Sequence, residues 1–169
     1  RKGGGAALPF KRNLFRDILR AAVQTANETA AAVGVAPIPV TVKMRLGIDH
    51  EHLTFREAGL TAAQEGVAWV ALHARTAAQM YSPSADWSQI KVLVDDLAPL
   101  GVPVLGNGDI WQASDAVAMM QQTGCAGVVV GRGCLGRPWL FAQLAAALQG
   151  RQAPPDPNLR QVLATMVRH

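Results

Sequence analysis

The sequence predicts an α/β protein, the C-terminal half of a (β/α)8 TIM barrel: four βα units plus a leading helix, with the start of a helical domain behind them. Three observations predict it. Apolar, β-branched strands at 40–45, 67–75, 102–106 and 126–130 recur roughly every thirty residues, each followed by a stretch of helical spacing, which is the pattern of a parallel sheet covered by helices. Right-handed crossovers then set all four strand C-termini on one rim. The last two strands run into glycine-rich turns, Val102-Pro-Val-Leu-Gly-Asn-Gly-Asp109 and Val128-Val-Val-Gly-Arg-Gly133. In (β/α)8 barrels the turns after strands seven and eight form a phosphate site, and a whole barrel needs roughly 250 residues where this chain has 169.

Taken in order, residues 3–9 form a Gly-Ala loop, after which Asn13 caps a helix whose Leu14, Ile18, Leu19, Ala22 and Val23 recur at helical spacing until Gly34 stops it. Pro37 and Pro39 frame Val40-Thr-Val-Lys-Met-Arg45, in which Thr41, Lys43 and Arg45 share one strand face and Val40, Val42 and Met44 the other. With the apolar face on the helices, Lys43 points into the barrel mouth, and a charge at a strand's C-terminal end is costly to bury without a partner. Asp49-His-Glu-His52 reads as a solvated loop rather than a metal site, since it precedes a capping box, Thr54-x-x-Glu57. The helix begun there ends at Gly66. The next strand carries His73 and Arg75 on one face at its C-terminal end, again on the rim.

A loop over 77–85 contains Tyr81, and Asp86-x-x-Gln89 caps a helix carrying Trp87, Ile90, Leu93, Val94 and Leu97. A helix over 113–123 is closed by Gly124, and another runs over 138–149. Residues 1–150 thus make the half-barrel. A proline-rich linker follows at 151–158, and 159–169 begins a helical domain.

The two glycine-rich turns read together as one anion cup. Gly106, Gly108, Gly131 and Gly133 are expected to take positive φ and bring backbone N–H groups close to a ligand. Arg132 adds a forked charge, and the helix entered at Arg137-Pro138 turns a positive dipole end toward the same place.

Composition limits the function classes. Half the residues are apolar, enough for one sizeable core, and no apolar run is long enough to span a bilayer. No secretory signal pattern is present, and Cys125 and Cys134 lack C-x-x-C spacing. A cytoplasmic protein without metal or membrane attachment is expected. The net charge is +4, and Arg1, Lys2, Lys11, Arg12, Arg16 and Arg20 crowd the first twenty positions, which permits a nucleic-acid partner.

These residues also carry a resemblance. Arg1-Lys-Gly-Gly-Gly-Ala-Ala-Leu8, Val40-Thr-Val-Lys-Met-Arg45, Leu72-His-Ala-Arg-Thr76, Ala85-Asp-Trp87, Gly106-Asn-Gly-Asp109, Val130-Gly-Arg-Gly133 and Gly136-Arg-Pro-Trp-Leu-Phe141 stand in order over nearly the whole chain. The set resembles the second half of a tRNA-dihydrouridine synthase of the bacterial B-type branch. The chain departs from that pattern at Ala74 and Pro83, where the family often has glycine.

The resemblance implies an FMN-dependent (β/α)8 barrel followed by a helical tRNA-binding domain, reducing uridine in tRNA with NADPH as electron source, and a monomer as complete protein. It implies that Lys43 contacts the flavin ring and that His73 lies beside the flavin and its phosphate. Asn107, Gly108, Asp109, Gly131 and Arg132 would hold that phosphate, with Arg45 and Arg75 on the rim within reach of tRNA. The family's proton-donating cysteine belongs to a Gly-Cys-Pro motif expected upstream of Arg1, so no catalytic residue is assigned within the chain, and the chain alone is expected to be inactive. Cys134 is set aside as a substitute because it belongs to the phosphate end. Two other readings stay open: another FMN or sugar-phosphate (β/α)8 enzyme, and a non-catalytic phosphate- or RNA-binding half-barrel.

Overall fold

A computed structural model describes residues 3–168. Arg1 and Lys2 of the N-terminal motif, and His169 at the end of the last expected helix, lie outside the described residues. Helix α1 spans Arg12–Val33, and Gly34 closes it at φ +72°, its N–H bonded to the carbonyls of Ala30 and Ala31. The start is Lys11 without a side-chain cap, not Asn13. The buried face is Phe15, Leu19 and Ala30, whereas Leu14 and Ile18 are exposed. The helix is therefore rotated from its expected facing. Ile18 turns to a groove of about 520 Å³ that it lines with Leu8, Phe15, Leu19 and the first strand.

Strand β1, Thr41–Arg45, is followed by α2, Phe55–Gln64, then β2, Trp69–His73, and α3, Ser88–Leu97. Strand β3, Val104–Asn107, leads to α4, Ala113–Thr123, and β4, Gly127–Val129, leads to α5, Leu140–Leu148. All four strands are parallel in the order β1-β2-β3-β4. Register aligns Arg45 with His73, His73 with Asn107, and Asn107 with Val129. One row of strand ends thus forms the rim that right-handed crossovers require.

Behind the sheet, Met44, Val70, Leu72 and Val104 pack with Ile90, Leu93 and Leu97 of α3 and with Ala116 and Met119 of α4. Strands flanked by helices in this way lose their polar alternation, which is why β2 reads as an apolar run.

Three local expectations change. The strand over 67–75 ends at His73: Arg75 N donates to His73 O at 2.7 Å, so the chain turns and Arg75 leaves the sheet face it was expected to share. The capping box at Thr54 does not form, because Glu57 turns to Arg12 on α1 at 2.7 Å. The last barrel helix begins at Leu140 rather than Pro138, with a 3-10 turn, Arg132–Cys134, between it and β4.

Arg20 pairs with Glu65 at 2.9 Å and Arg56 with Asp96 at 2.7 Å, so salt bridges tie α1 to the end of α2 and α2 to α3. Part of the N-terminal basic charge is thereby engaged within the fold, although exposed pairs of this kind contribute no more than about 1 kcal/mol each.

Segment 151–158 has no regular structure and is pinned by Gln143 Nε2, which donates to Pro154 O and Asp156 Oδ1. Helix α6, Leu159–Arg168, follows and leaves Leu159, Leu163, Met166 and Val167 exposed. No helix of the described residues is long and apolar enough to cross a membrane.

Candidate functional site

The strand-end row opens on a cavity of about 300 Å³. Lys43, His73, Asn107, Gly108, Asp109, Gly131 and Arg132, singled out by sequence, all line it, as does Arg45. Each position has a local cause. Alternation along β1 puts Met44 into the core and turns Lys43 and Arg45 the other way. Asn107 ends β3 by donating Nδ2 to Val129 O at 2.6 Å, which stitches the β3 turn to the β4 turn.

Gly108 stands at φ +128°, and a Cβ there would lie 2.6 Å from Ala85 Cβ and 3.3 Å from His73, so conformation and space both demand glycine. Of the four cup glycines it alone takes positive φ. Gly133 permits a close approach instead, since a Cβ would sit 2.0 Å from Ile110 O, and Gly131 at φ −105° faces open space. Gly106 makes room for Met119. Asp109, by contrast, is a non-glycine residue held at φ +55°, a conformation that costs about 1 kcal/mol or more and persists only when neighbours enforce it.

Those neighbours are specific. Asp109 accepts both oxygens' worth of Arg75 Nη2, at 2.8 and 2.7 Å, and the Ala85 N–H at 2.7 Å. Arg75 also donates Nε to Pro83 O at 2.7 Å, and its side chain is only 2% exposed. The expectation that Arg75 stands on the rim, free for tRNA, is therefore corrected: its donors are turned inward to hold the 77–87 loop. Arg45 is shared, donating Nη1 to Thr76 O at 2.8 Å and Met80 O at 3.2 Å while still lining the cavity.

Arg132 is 36% exposed and touches Asp109 only at 3.6 Å. Its guanidinium carbon lies 4.0 Å from the Tyr81 ring centroid and 5.2 Å from that of Trp111. The helix expected from Arg137-Pro138 begins at Leu140 and none of residues 137–140 lines the cavity, whereas Arg132 and Gly133 of the 3-10 turn Arg132–Cys134 do.

The field of this rim is positive: Lys43, Arg45 and Arg132 line the cavity with one carboxylate, Asp109, which Arg75 pairs from behind. Burial, then the charges of Arg45, Lys43 and Arg75, push the His73 pKa down to about 4, so its imidazole is neutral near pH 7. Burial and Arg45 lower Lys43. Burial by itself would raise Asp109, but the Ala85 N–H and the Arg75 pair hold its carboxyl below the usual range. A cavity that disfavours its own cations is suited to an anionic ligand.

The model of the dihydrouridine synthase (Dus) family matches residues 1–169, the full chain. The chain belongs to this family. It is 59% identical over 169 residues to a probable tRNA-dihydrouridine synthase of Mycobacterium leprae, covering all of this chain and 42% of that protein. A probable tRNA-dihydrouridine synthase of Mycobacterium tuberculosis is 57% identical over the same span, 41% of its length. One from Rhodobacter capsulatus is 44% identical over 128 residues, 76% of this chain and 39% of that protein. The chain thus spans about two fifths of the length of these curated relatives.

The reading of the sequence missed Trp111 and left Tyr81 without a role, although both line the cavity. The signal for Trp111 was its place two residues past Gly106-Asn-Gly-Asp109. Cys134 donates Sγ–H to Gly131 O at 3.0 Å, within the turn after β4. The loop at Asp49 is organised by Asp49 Oδ1, which accepts from His52 N at 2.9 Å, and no cluster able to hold a metal ion occurs among the described residues.

Proposed function

We propose that this chain supplies the phosphate side and one ring edge of an FMN site in a cytoplasmic enzyme that reduces uridine to 5,6-dihydrouridine in tRNA, with NADPH as electron source. The observation that carries the reading is the convergence of four strand ends on one cavity, lined by three cations, Lys43, Arg45 and Arg132, and a single carboxylate, Asp109. The donor set fits a phosphate monoester. Arg132 offers a guanidinium with no hydrogen bond to the described residues, and the Gly131 turn leaves backbone facing open space where a Cβ would stand.

Bound there, FMN supplies the two-electron reduction of the uracil C5–C6 bond. The residues of this chain bind and tune. Arg132, Asn107, Gly108 and Gly131 hold the phosphate, and Asp109 acts by holding the arginines rather than by touching an anion that its carboxylate would repel. Lys43, whose pKa is lowered by partial desolvation and by Arg45, gains a compensating partner beside an electron-rich ring edge and stabilises negative charge there. His73, neutral, offers a hydrogen bond without adding charge. Arg45 remains the rim cation within reach of RNA. Residues 1–150 form the barrel half, 151–158 the linker and 159–169 the start of a helical tRNA-binding domain, in a protein that works as a monomer.

The test incubates the intact protein with FMN, NADPH and unmodified tRNA, then digests the RNA for nucleoside mass spectrometry. A dihydrouridine peak that requires both FMN and the protein is expected. Its absence from a folded, flavin-loaded preparation would refute the reading.

A further inference from the structure

We propose that Tyr81 and Trp111 are positioning residues that present the Arg132 guanidinium, face covered and N–H edges free, to the phosphate of the cofactor. The inference rests on the flavin-phosphate reading above and goes beyond it by assigning two residues that neither the motifs nor the strand-end logic single out.

Both rings are large, yet Tyr81 is 54% exposed and Trp111 46% exposed, so core packing does not account for where they stand. Each instead lines the cavity and lies against the same cation, Tyr81 at 4.0 Å and Trp111 at 5.2 Å. Stacking uses the guanidinium face and leaves the in-plane donors unused, and none of those donors is hydrogen-bonded to another described residue.

An unsupported arginine side chain would lose much rotamer freedom on gripping a phosphate. One already held in place loses less, and the difference appears as affinity. The backbone that carries each ring is anchored. Arg45 Nη1 holds Thr76 O and Met80 O at the base of the Tyr81 loop. The Trp111 backbone is fixed at both ends, its main-chain N–H donating to Asp115 Oδ2 at 2.9 Å and its carbonyl accepting from Arg137 Nη1 at 2.8 Å. Tyr81 and Arg132 are far apart in the chain, so the loop after β2 and the turn after β4 are coupled through this stack.

The experiment titrates the intact apoprotein with FMN and with riboflavin, which lacks the phosphate, following flavin fluorescence. Tyr81→Leu is expected to weaken FMN about fivefold and leave riboflavin unchanged, and Trp111→Leu to weaken FMN about twofold. Tyr81→Phe, which keeps the ring, restores FMN affinity. In an Arg132→Met background, Tyr81→Leu produces no further loss. Equal weakening of FMN and riboflavin by Tyr81→Leu, failure of Tyr81→Phe to restore, or a loss that persists without Arg132 would overturn the positioning role while leaving the phosphate site intact. If the wild type prefers FMN no more than riboflavin, or Arg132→Met does not reduce that preference, the phosphate reading itself fails and the positioning role with it.

Discussion

Two arginines share Asp109 and are used in opposite ways. Arg75 is 2% exposed and directs its donors to Pro83 O and both Asp109 oxygens, so it acts as a brace for the loop after β2. Arg132 is 36% exposed, stays 3.6 Å from the same carboxylate and lies against Tyr81 and Trp111. Both follow a strand end, both carry the same group, and both looked equally available. What separates them is where their N–H groups end: a guanidinium whose donors are satisfied inside the protein is structural, and one whose donors are free is available for a ligand.

The largest expected effect tests that contrast directly. Arg75→Met leaves Asp109 without its bidentate partner and lowers the unfolding free energy by about 3 kcal/mol or more, read by urea denaturation. Arg132→Met changes stability by under about 1 kcal/mol, because a partly exposed pair at this distance contributes little. It weakens FMN binding by about 1.5–3 kcal/mol instead. Similar stability losses in the two variants would erase the distinction.

A smaller effect concerns the turn that carries Arg132. Gly133→Ala puts a Cβ 2.0 Å from Ile110 O, a backbone atom that cannot step aside. It is expected to cost about 2–3 kcal/mol of stability and to lower FMN affinity, since the β4 turn must move away from the β3 turn. Gly106→Ala meets Met119 Sδ at 2.4 Å, the end of a flexible side chain, and should cost only about 1 kcal/mol with the cup undisturbed. Calorimetry and an FMN titration of both variants separate the cases, and a milder Gly133→Ala would show that the turns are not pressed together.

The smallest effect is the pH response of the buried rim. His73 has its folded pKa pushed down to about 4, below the usual 6.5, so the unfolded chain binds the proton first as pH falls. Stability from this group is therefore present above pH 6.5 and lost progressively as pH falls from 6.5 toward 4. Between pH 7 and 6 the wild type should lose under about 1 kcal/mol that a His73→Gln variant keeps. Identical pH slopes would mean that His73 is not held neutral by burial and the neighbouring arginines and lysine.

Much of the fold was legible because its signals are local. Gly34 and Gly124 close α1 and α4 where expected, in the left-handed conformation that glycine adopts freely. The strand spacing and the handedness of crossovers bring Lys43, His73, Asn107 and Arg132 to one rim without knowledge of any contact. The N-terminal face of α1 was harder. Leu14-Phe15 and Ile18-Leu19 offer two adjacent apolar stripes, and only packing against the neighbouring elements selects Phe15 and Leu19.

By itself the sequence determined the parallel order of elements, the position of the strand-end cavity and its excess of positive charge, since these follow from periodicity, glycine placement and residue type. Tertiary structure decided what each long polar side chain does. Glu57 leaves its expected cap for Arg12, Arg75 leaves the rim for Pro83 O and Asp109, and Arg132 meets an aromatic ring fifty-one positions away. The physical reason is reach: an arginine or glutamate head group lies several bonds from its Cα and can choose among partners supplied by other elements. A β-branched strand residue or a helix-closing glycine acts through its own backbone, where the choice is already written locally.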